Sequence, residues 1–401
     1  MRLTTGQKET RSVTYLVAAQ LLIFQSSLGQ YVTPIYFGVL ARQLDYTNQQ
    51  LAAIGTTEAA ASIFVVIAIA LFIGRLNMRK LCLVAAGMLT AATLACALTT
   101  DPAVLLMLRA LVGASATVIS SAGMVYVAAT AIPVRWFGVQ MTLTTLLTMA
   151  GLAGMPIIER QFGLPGFYVT LVLLAPATFW SAFVLPAHPK PASEALKGDS
   201  SLAASAGWLN PAAIIGLLAI LAYAAYIYPM YNFSDRIGTA IGLAPVYIGF
   251  VLSATTPIGV VGSLLATTLG NRFGAVRPIA ASAVLAGIGY LYFHFSTDVV
   301  GFWVAISVMS FIWNFAQPYL VSTVGRADPD GRFVFLNGLA FEGGRILTTF
   351  LFAASLSAIG PAGPALLGTV LMTLSALLIY VAVRFIRTGK AQGVESPRQA
   401  H

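Results

Sequence analysis

The sequence is poor in charged residues. Only 9% of its 401 residues are Asp, Glu, Lys or Arg, whereas 58% are hydrophobic. A soluble domain carries roughly 25% charged residues, so this composition excludes a soluble globular protein. The chain also contains about twelve apolar stretches, each long enough to cross a hydrocarbon core of ~30 Å. Because lipid offers the backbone no hydrogen-bond partner outside a helix, the sequence predicts an all-α integral membrane protein.

Cysteine and histidine are scarce, with two and three residues respectively. Cys82 and Cys96 fall on one predicted helix, ~21 Å apart at 1.5 Å per residue, and this separation excludes a disulfide between them. Asp, His and Cys do not cluster with ligand spacing, so we expect no metal and no cofactor. The sequence has no Walker A motif, which argues against direct use of ATP. It has no paired acids or Ser/His arrangement within the spans, so we do not expect an enzyme.

The predicted spans, numbered one to twelve in chain order, follow one another from the N-terminus to near the C-terminus. They cover residues 13–40, 48–73, 80–100, 103–131, 137–157, 164–186, 209–231, 244–269, 277–296, 300–324, 333–358 and 362–386. The first apolar run is too long for a signal peptide and lacks a clear cleavage site, so we do not expect it to be removed.

Positive charge is distributed unevenly between alternate loops. Most of the 22 lysine and arginine residues lie in segments that are cytoplasmic if the N-terminus is cytoplasmic. By the positive-inside rule we expect both termini in the cytoplasm and an even number of spans. The net charge of +9 therefore belongs to the loops, and we expect no nucleic-acid partner. The compact loops favour a multi-pass protein of a bacterial inner (plasma) membrane.

One segment interrupts the hydrophobic pattern with Pro, Ser, Ala and charge, a composition typical of a flexible connection. It divides the spans six and six. We predict an N-terminal six-helix bundle at 1–186, a cytoplasmic linker at 187–207, a C-terminal six-helix bundle at 208–390 and a cytoplasmic tail at 391–401.

The two halves resemble each other in sequence. Short matches recur at nearly one spacing and at equivalent points of a six-span unit, aligning Pro34 with Pro229, Gly74 with Gly270 and Asp101 with Asp298. Parallel repeats about an axis normal to the membrane are a known transporter architecture, with substrate bound between the halves near mid-bilayer.

Glycines and basic residues recur in the loops after spans two and eight. They are Gly270, Asn271, Arg272, Gly274 and Arg277 in one copy and Gly74, Arg75, Arg79 and Lys80 in a shortened one, and span four adds Arg109 with Gly113. Through these residues the chain resembles the major facilitator superfamily along nearly its whole length. That family carries a G-x-L-A-D-R-x-G-R-R loop after span two and a degenerate copy after span eight. The shortened copy lacks the Asp, and span five has only Gly151, Gly154 and Pro156 of an element associated with exporters.

The resemblance implies two pseudo-symmetric six-helix bundles of twelve transmembrane helices, the MFS fold, which alternate access to a central cavity. It implies that spans one, four, seven and ten line this cavity, that spans two and eleven meet across the halves, and that Arg272 has a gating role.

Charged residues inside spans are functional candidates by default, because a charge at the bilayer centre costs ~2.5–3.5 kcal/mol. The chain places Glu58, Arg109, Glu342 and Arg345 well inside spans. Helix rise puts Glu58 and Arg345 near the midplane, and we hypothesise that they interact in one transport state. Glu342 and Arg345 share a helical face, and Gly343 and Gly344 allow close helix approach; a purely structural ion pair is the alternative for these two.

Proton coupling needs a side chain that can gain and lose a proton inside the membrane. Glu58 and Glu342 are the best candidates, while His294 lies near the outer end of span nine. Arg109 has no acid within a turn of its own span, so we interpret it as an unpaired anchor for an anionic substrate, since its planar fork matches a carboxylate. A structural tie to backbone carbonyls is the alternative.

The predicted cavity spans carry aromatic and amide side chains, which suit a mostly apolar organic solute. With Arg109, the predicted substrate-binding residues are Gln25, Gln30, Tyr223, Tyr226, Trp313, Asn314 and Gln317. Membrane-interface belts are the alternative for Tyr31, Tyr36, Tyr228 and Tyr231.

We therefore expect a proton-coupled secondary transporter of a small organic solute, with an aromatic or other organic anion as best guess. The alternatives are a proton-antiporting drug exporter and a non-transporting membrane sensor of the same fold. Sugar transport is less favoured, because acids are scarce. The expected partners are the solute, protons and the lipid bilayer, and we expect a monomer.

Overall fold

The computed structural model describes residues 5–72, 77–128, 133–186, 210–270, 272–327 and 336–394. Within these ranges every regular element is a helix, and the chain divides into two compact units, Met1–Asp199 and Ser200–His401, called unit 1 and unit 2 below. The predicted linker at 187–207, residues 395–401 of the predicted tail, and Gly74, Arg75 and Asn271 of the predicted loop motifs lie outside the described residues.

The helices of unit 1 are α1 (Thr5–Tyr31), α2 (Thr33–Gln43), α3 (Asn48–Phe72), α4 (Met78–Cys96), α5 (Pro102–Ala128), α6 (Pro133–Val172) and α7 (Ala175–Val184). Helix α5 packs against α1, α3 and α4, so it is the centre of this unit.

The helices of unit 2 are α8 (Pro211–Asn232), α9 (Ser234–Ala240), α10 (Pro245–Leu269), α11 (Val276–Phe295), α12 (Val299–Ala327), α13 (Asn337–Ile359) and α14 (Gly363–Val394). Helix α8 packs against α12, α13 and α14, and α12 also packs against α10 and α11.

Ten helical segments among the described residues are long and apolar enough to cross a membrane. One of them, Leu143–Val184, is 42 residues long and contains most of predicted spans five and six. It is broken at Gly163, whose φ of 63° and ψ of −161° form a backbone conformation that is essentially restricted to glycine. The predicted all-helical membrane fold is therefore confirmed.

The first predicted span, residues 13–40, is not among these ten segments. It corresponds to α1 and α2, which are separated at Val32 (φ −99°, ψ 8°). Its apolar residues are interspersed with glutamines and serines, which lower its hydropathy.

Acidic and amide side chains start several helices by accepting hydrogen bonds from backbone N–H groups. Asp101 accepts from Ala103 at 2.8 Å at the start of α5, and Asp298 accepts from Gly301 at 2.8 Å at the start of α12. The two aspartates that the sequence aligns therefore have the same structural role.

Glycines allow two helix pairs to approach closely. A Cβ atom at Gly113 of α5 would lie 2.8 Å from the Glu58 carbonyl oxygen of α3, and one at Gly344 of α13 would overlap the Leu221 carbonyl oxygen of α8. Close approach at Gly344 is thus confirmed, whereas a Cβ at Gly343 would meet only the Leu221 side chain, at 3.7 Å.

Candidate functional site

An ion pair joins α3 and α5 inside unit 1. Arg109 Nε donates a hydrogen bond to Glu58 Oε1, and the two side chains are only 3% and 13% exposed. The prediction that Arg109 is unpaired is therefore wrong. Its partner lies on another helix, 51 residues away in sequence, so a search within one span cannot find it.

Tyr36 of α2 covers this arginine. Its ring centroid lies 4.5 Å from Arg109 Cζ, a distance at which the ring face attracts the cation. The Tyr36 hydroxyl lies 3.0 Å from the Tyr168 hydroxyl of α6, and its ring stacks on Phe167 at 5.8 Å. Tyr36 is 1% exposed, which excludes the membrane-interface alternative for this residue. We call Glu58, Arg109, Tyr36, Phe167 and Tyr168 the unit 1 cluster.

The polar contact between α3 and α5 continues one helical turn from the ion pair. Thr117 Oγ1 lies 2.8 Å from Ser62 Oγ and 2.8 Å from the Gly113 carbonyl oxygen. These hydroxyl contacts hold the two helices in the register that brings Glu58 to Arg109.

Gln25 of α1 is 7% exposed and its Nε2 donates to the Leu171 carbonyl of α6 at 3.0 Å. Its Oε1 has no hydrogen-bond partner among the described residues. Gln30 is half-buried. Substrate binding by these two glutamines stays a prediction.

In unit 2 the second intramembrane pair lies within one helix. Arg345 Nη2 is 2.8 Å from Glu342 Oε2 on α13, and the side chains are 8% and 23% exposed. The shared face of these two residues is thus confirmed. Glu58 and Arg345 each have a partner in their own unit, and an interaction between them stays a prediction.

Tyr228, which lies near Arg345, belongs to a group of three packed aromatic residues. Trp313 of α12 packs edge-to-face with Tyr228 at 5.4 Å and Tyr231 at 5.5 Å, both on α8. Arg345 Cζ lies 6.0 Å from the Tyr228 ring. We call Trp313, Tyr228 and Tyr231 the unit 2 aromatic cluster. Trp313 and Tyr228 are half-buried, so part of their surface remains available for contact.

Two of the other predicted substrate residues of unit 2, Tyr223 and Tyr226, make helix-packing contacts. Tyr223 is 1% exposed and donates to the Trp313 carbonyl. Tyr226 is 4% exposed and packs against Gly368 of α14. Asn314 is exposed and donates to the Ser310 carbonyl at 3.2 Å, and Gln317 is half-buried one turn further on.

The predicted gating residue Arg272 is exposed and follows Gly270, whose φ of 50° ends α10. In the corresponding loop of unit 1, Arg79 Nε donates to the Leu185 carbonyl at the end of α7, at 2.8 Å. A cation at a helix C-terminus is favourable because it meets unpaired carbonyls and the negative end of the dipole. Arg79 therefore has a local structural role, while the role of Arg272 stays a prediction.

Several buried residues of the structure carry no obvious sequence signal. Tyr168 and Phe167 belong to span six, which the predicted cavity does not include, and only their adjacency as aromatics in an apolar run marks them. Asp235 is 0% exposed in α9, although its position after Ser234 resembles an ordinary loop. Among the described residues no group of three or more His, Cys, Asp and Glu could hold a metal ion.

Tyr46 lies outside the spans, in the loop between α2 and α3, and its pKa is shifted. Burial, reinforced by the nearby Asp101 carboxylate, raises the pKa of Tyr46. Its hydroxyl donates to the Thr100 carbonyl at 3.0 Å, which connects the α2–α3 loop to the α4–α5 loop.

A sequence model of the Major Facilitator Superfamily matches residues 21–349. The chain belongs to this superfamily. Membership identifies the protein as a multi-pass membrane transporter with the MFS fold, not as an enzyme. No curated protein sequence matches the chain significantly.

Solved transporters share this fold at low sequence identity. A mutant of the nucleoside transporter NupG superposes with a TM-score of 0.69 at 13% identity, covering 93% of this chain and 99% of that one. A D-xylose-proton symporter gives 0.68 at 14% identity, with 92% and 96% covered, and the POT family transporter PepTSo gives 0.69 at 10%, with 95% and 99% covered. At such identities the similarity concerns the fold alone.

Proposed function

We propose that the protein is a proton-coupled secondary transporter that moves a small organic anion, with an aromatic acid as the best guess, by alternating access. The observation that carries the proposal is the Glu58–Arg109 pair, because it places a titratable acid against a fixed cation inside the membrane-spanning part of unit 1. The D-xylose-proton symporter among the structural neighbours supports proton coupling in this fold.

The pair works as a charge switch. While Glu58 is ionised it neutralises Arg109, and the Tyr36 ring covers the cation. Once Glu58 takes up a proton, Arg109 keeps its charge without a counterion. Leaving one member of a buried pair uncompensated costs about 3–5 kcal/mol. An organic anion bound by the transporter lowers this cost through its charge, so proton and anion are favoured together.

The protein acts in the bacterial inner membrane with both termini in the cytoplasm, and it functions as a monomer. The location and the topology rest on the charge asymmetry of the loops and the compactness of the connections. The direction that the charge switch favours is uptake, because the proton gradient loads Glu58 from outside together with the anion.

A drug exporter is the second candidate, and the half-buried aromatic cluster of unit 2 is the feature that favours it. The two candidates differ in the sign of their response to a proton gradient. An inward gradient drives accumulation by a symporter, whereas it drives removal of solute by an antiporter.

The test uses purified protein in proteoliposomes. Thermal-shift screening against aromatic acids, sugars and drugs selects a compound, whose uptake is then measured with and without an inward pH gradient. We expect accumulation only with the gradient. In Glu58→Gln we expect gradient-driven accumulation to be lost while exchange of labelled for unlabelled compound continues, since exchange needs no net proton movement.

Glu159→Gln is the matched control. Glu159 also pairs with an arginine, Arg42, at 2.9 Å, but near the end of α2, and we expect its removal to leave gradient-driven accumulation intact. Equal accumulation by the wild type and Glu58→Gln would contradict the proposal. A wild type that binds a compound yet moves none of it would favour the sensor alternative.

A further inference from the structure

We propose that unit 2 contains a binding site for an aromatic carboxylate, in which Arg345 binds the carboxylate and the unit 2 aromatic cluster contacts the ring. The proposal rests on the transporter function above and specifies its substrate class. It also moves the role of substrate anchor from Arg109, which the sequence favoured, to Arg345.

Arg345 has a donor that the described protein residues do not use. The residue is 7% exposed, and Nη2 contacts Glu342. Its Nε–H, in contrast, is buried without a hydrogen-bond partner among the described residues. A buried donor on a cation is unfavourable when it lacks an acceptor. A ligand carboxylate supplies that acceptor and matches the planar geometry of a guanidinium.

The surroundings of Arg345 suit a planar ring. Tyr228 lies against the guanidinium at 6.0 Å, and its ring meets Trp313 at 5.4 Å with an interplanar angle of 70°. Tyr231 meets Trp313 at 84°. Aromatic rings attract one another in such edge-to-face and offset arrangements. A ring attached to a carboxylate on Arg345 can therefore join this cluster, which an aliphatic acid cannot do with the same geometry.

Arg109 is less suited to hold the same carboxylate. Its Nε is bonded to Glu58, the Tyr36 ring lies at 4.5 Å from its Cζ, and the side chain is 3% exposed. Tyr36 is itself held by Tyr168. A ligand that reached Arg109 would have to displace both the acid and the ring, whereas the Nε–H of Arg345 needs no displacement of a bonded partner.

The test measures binding of radiolabelled benzoate to the purified full-length protein, with unlabelled benzamide and cyclohexanecarboxylate as competitors. Benzamide keeps the ring and loses the charge, while cyclohexanecarboxylate keeps the charge and loses the aromatic ring. In the wild type we expect benzoate to bind at least about tenfold more tightly than either analogue.

Variants distinguish a role of Arg345 in binding the carboxylate from a role in stabilising the fold. In Arg345→Gln we expect benzoate affinity to fall to that of benzamide, with benzamide affinity unchanged. In Glu342→Gln we expect benzoate affinity to rise severalfold, because the competing carboxylate is gone. Arg345→Gln with Glu342→Gln removes both charges, so neither is left without its partner. This double variant should repeat the loss of benzoate selectivity if the single variant does not fold. Arg160→Gln removes an exposed arginine and should change neither affinity.

Two results would overturn the inference. One is a wild type that does not bind benzoate, or binds it no better than benzamide. The other is a loss of benzoate and benzamide in equal measure when Arg345 is replaced, since a merely structural arginine would do that. Neither result touches the proposed function, which is tested separately by the pH-gradient-driven accumulation of a compound from the wider panel.

Discussion

The two arginines that lie well inside predicted spans are both paired, but in different ways. Arg109 takes its acid from a second helix, so the pair holds α3 and α5 together. The acid that pairs with Arg345, Glu342, lies one turn earlier on the same helix. Rotation of the Arg345 side chain therefore opens its pair without separating helices, whereas opening the Arg109 pair disturbs the packing of unit 1. This difference suits Arg109 to a switch and Arg345 to binding.

At the scale of single residues, Tyr36 allows its two contacts to be tested apart. Tyr36→Phe keeps the ring over Arg109 but leaves the buried Tyr168 hydroxyl without this partner, which should lower stability by about 1–3 kcal/mol. Tyr36→Leu also loses the cation–π contact, worth about 2 kcal/mol when desolvated. We expect thermal unfolding in detergent to follow the order wild type, Tyr36→Phe, Tyr36→Leu.

Tyr292→Phe is the control for this series, because Tyr292 is 43% exposed on α11. It should unfold like the wild type. If Tyr36→Phe did the same, the hydroxyl pair would contribute nothing to stability, and Tyr168 would lose its assigned place in the unit 1 cluster.

At the scale of helices, the first long helix of each unit is followed directly by a shorter one. The break falls at Val32 between α1 and α2, and at Phe233 (φ −93°, ψ 4°) between α8 and α9. The aligned prolines do not occupy the same place relative to the break. Pro34 is at the start of α2, whereas Pro229 lies inside α8, before the break. The sequence match therefore locates the region of each junction but not the residue at which the junction falls.

Close approach of α8 and α13 can be tested with neighbouring glycines. A Cβ at Gly344 overlaps the Leu221 backbone, so Gly344→Ala must push the helices apart. A Cβ at Gly343 makes only an ordinary contact at 3.7 Å. Overpacking of this kind costs typically about 1–3 kcal/mol. We expect Gly344→Ala to lower the unfolding temperature and to weaken binding of the selected compound, since α13 carries Arg345.

Gly343→Ala should leave both properties close to those of the wild type, because it adds the same methyl group one residue away. Similar losses in the two variants would mean that alanine disturbs α13 itself, and that the approach to α8 has no special importance.

The sequence predicts these helices better than it predicts their contacts. Length and hydropathy are local properties, so the spans and their helical character follow from composition. The Glu342–Arg345 pair also follows, since residues three apart share a face. The Glu58–Arg109 pair, the Tyr36–Tyr168 contact and the burial of Asp235 depend on which helices become neighbours, and a single sequence without spatial information does not contain that.

At the scale of the whole molecule, each unit keeps its two intramembrane charges as a pair in the described state, so neither unit holds an uncompensated charge among these four residues. Transport by alternating access requires a second state, and the charges are the groups best placed to exchange partners between states. We predict the hypothesised Glu58–Arg345 interaction for that second state, because each of the two residues already has a partner in its own unit.

Double-mutant cycles can separate the two states. Stability reports the described state, in which Glu58→Gln and Arg109→Gln should each cost about 3–5 kcal/mol while the double variant costs much less than their sum. For Glu58→Gln with Arg345→Gln the stability effects should add to within about 0.5 kcal/mol, because each residue has its partner in its own unit. The exchange rate of the selected compound reports every state that the cycle visits. Each variant retains some fraction of the wild-type exchange rate. If Glu58 and Arg345 pair in one of these states, the fraction retained by the double variant should exceed the product of the fractions retained by the two single variants. A double-variant fraction equal to that product would contradict an interaction between Glu58 and Arg345 in the transport cycle. The two ion pairs would then act independently in their own units.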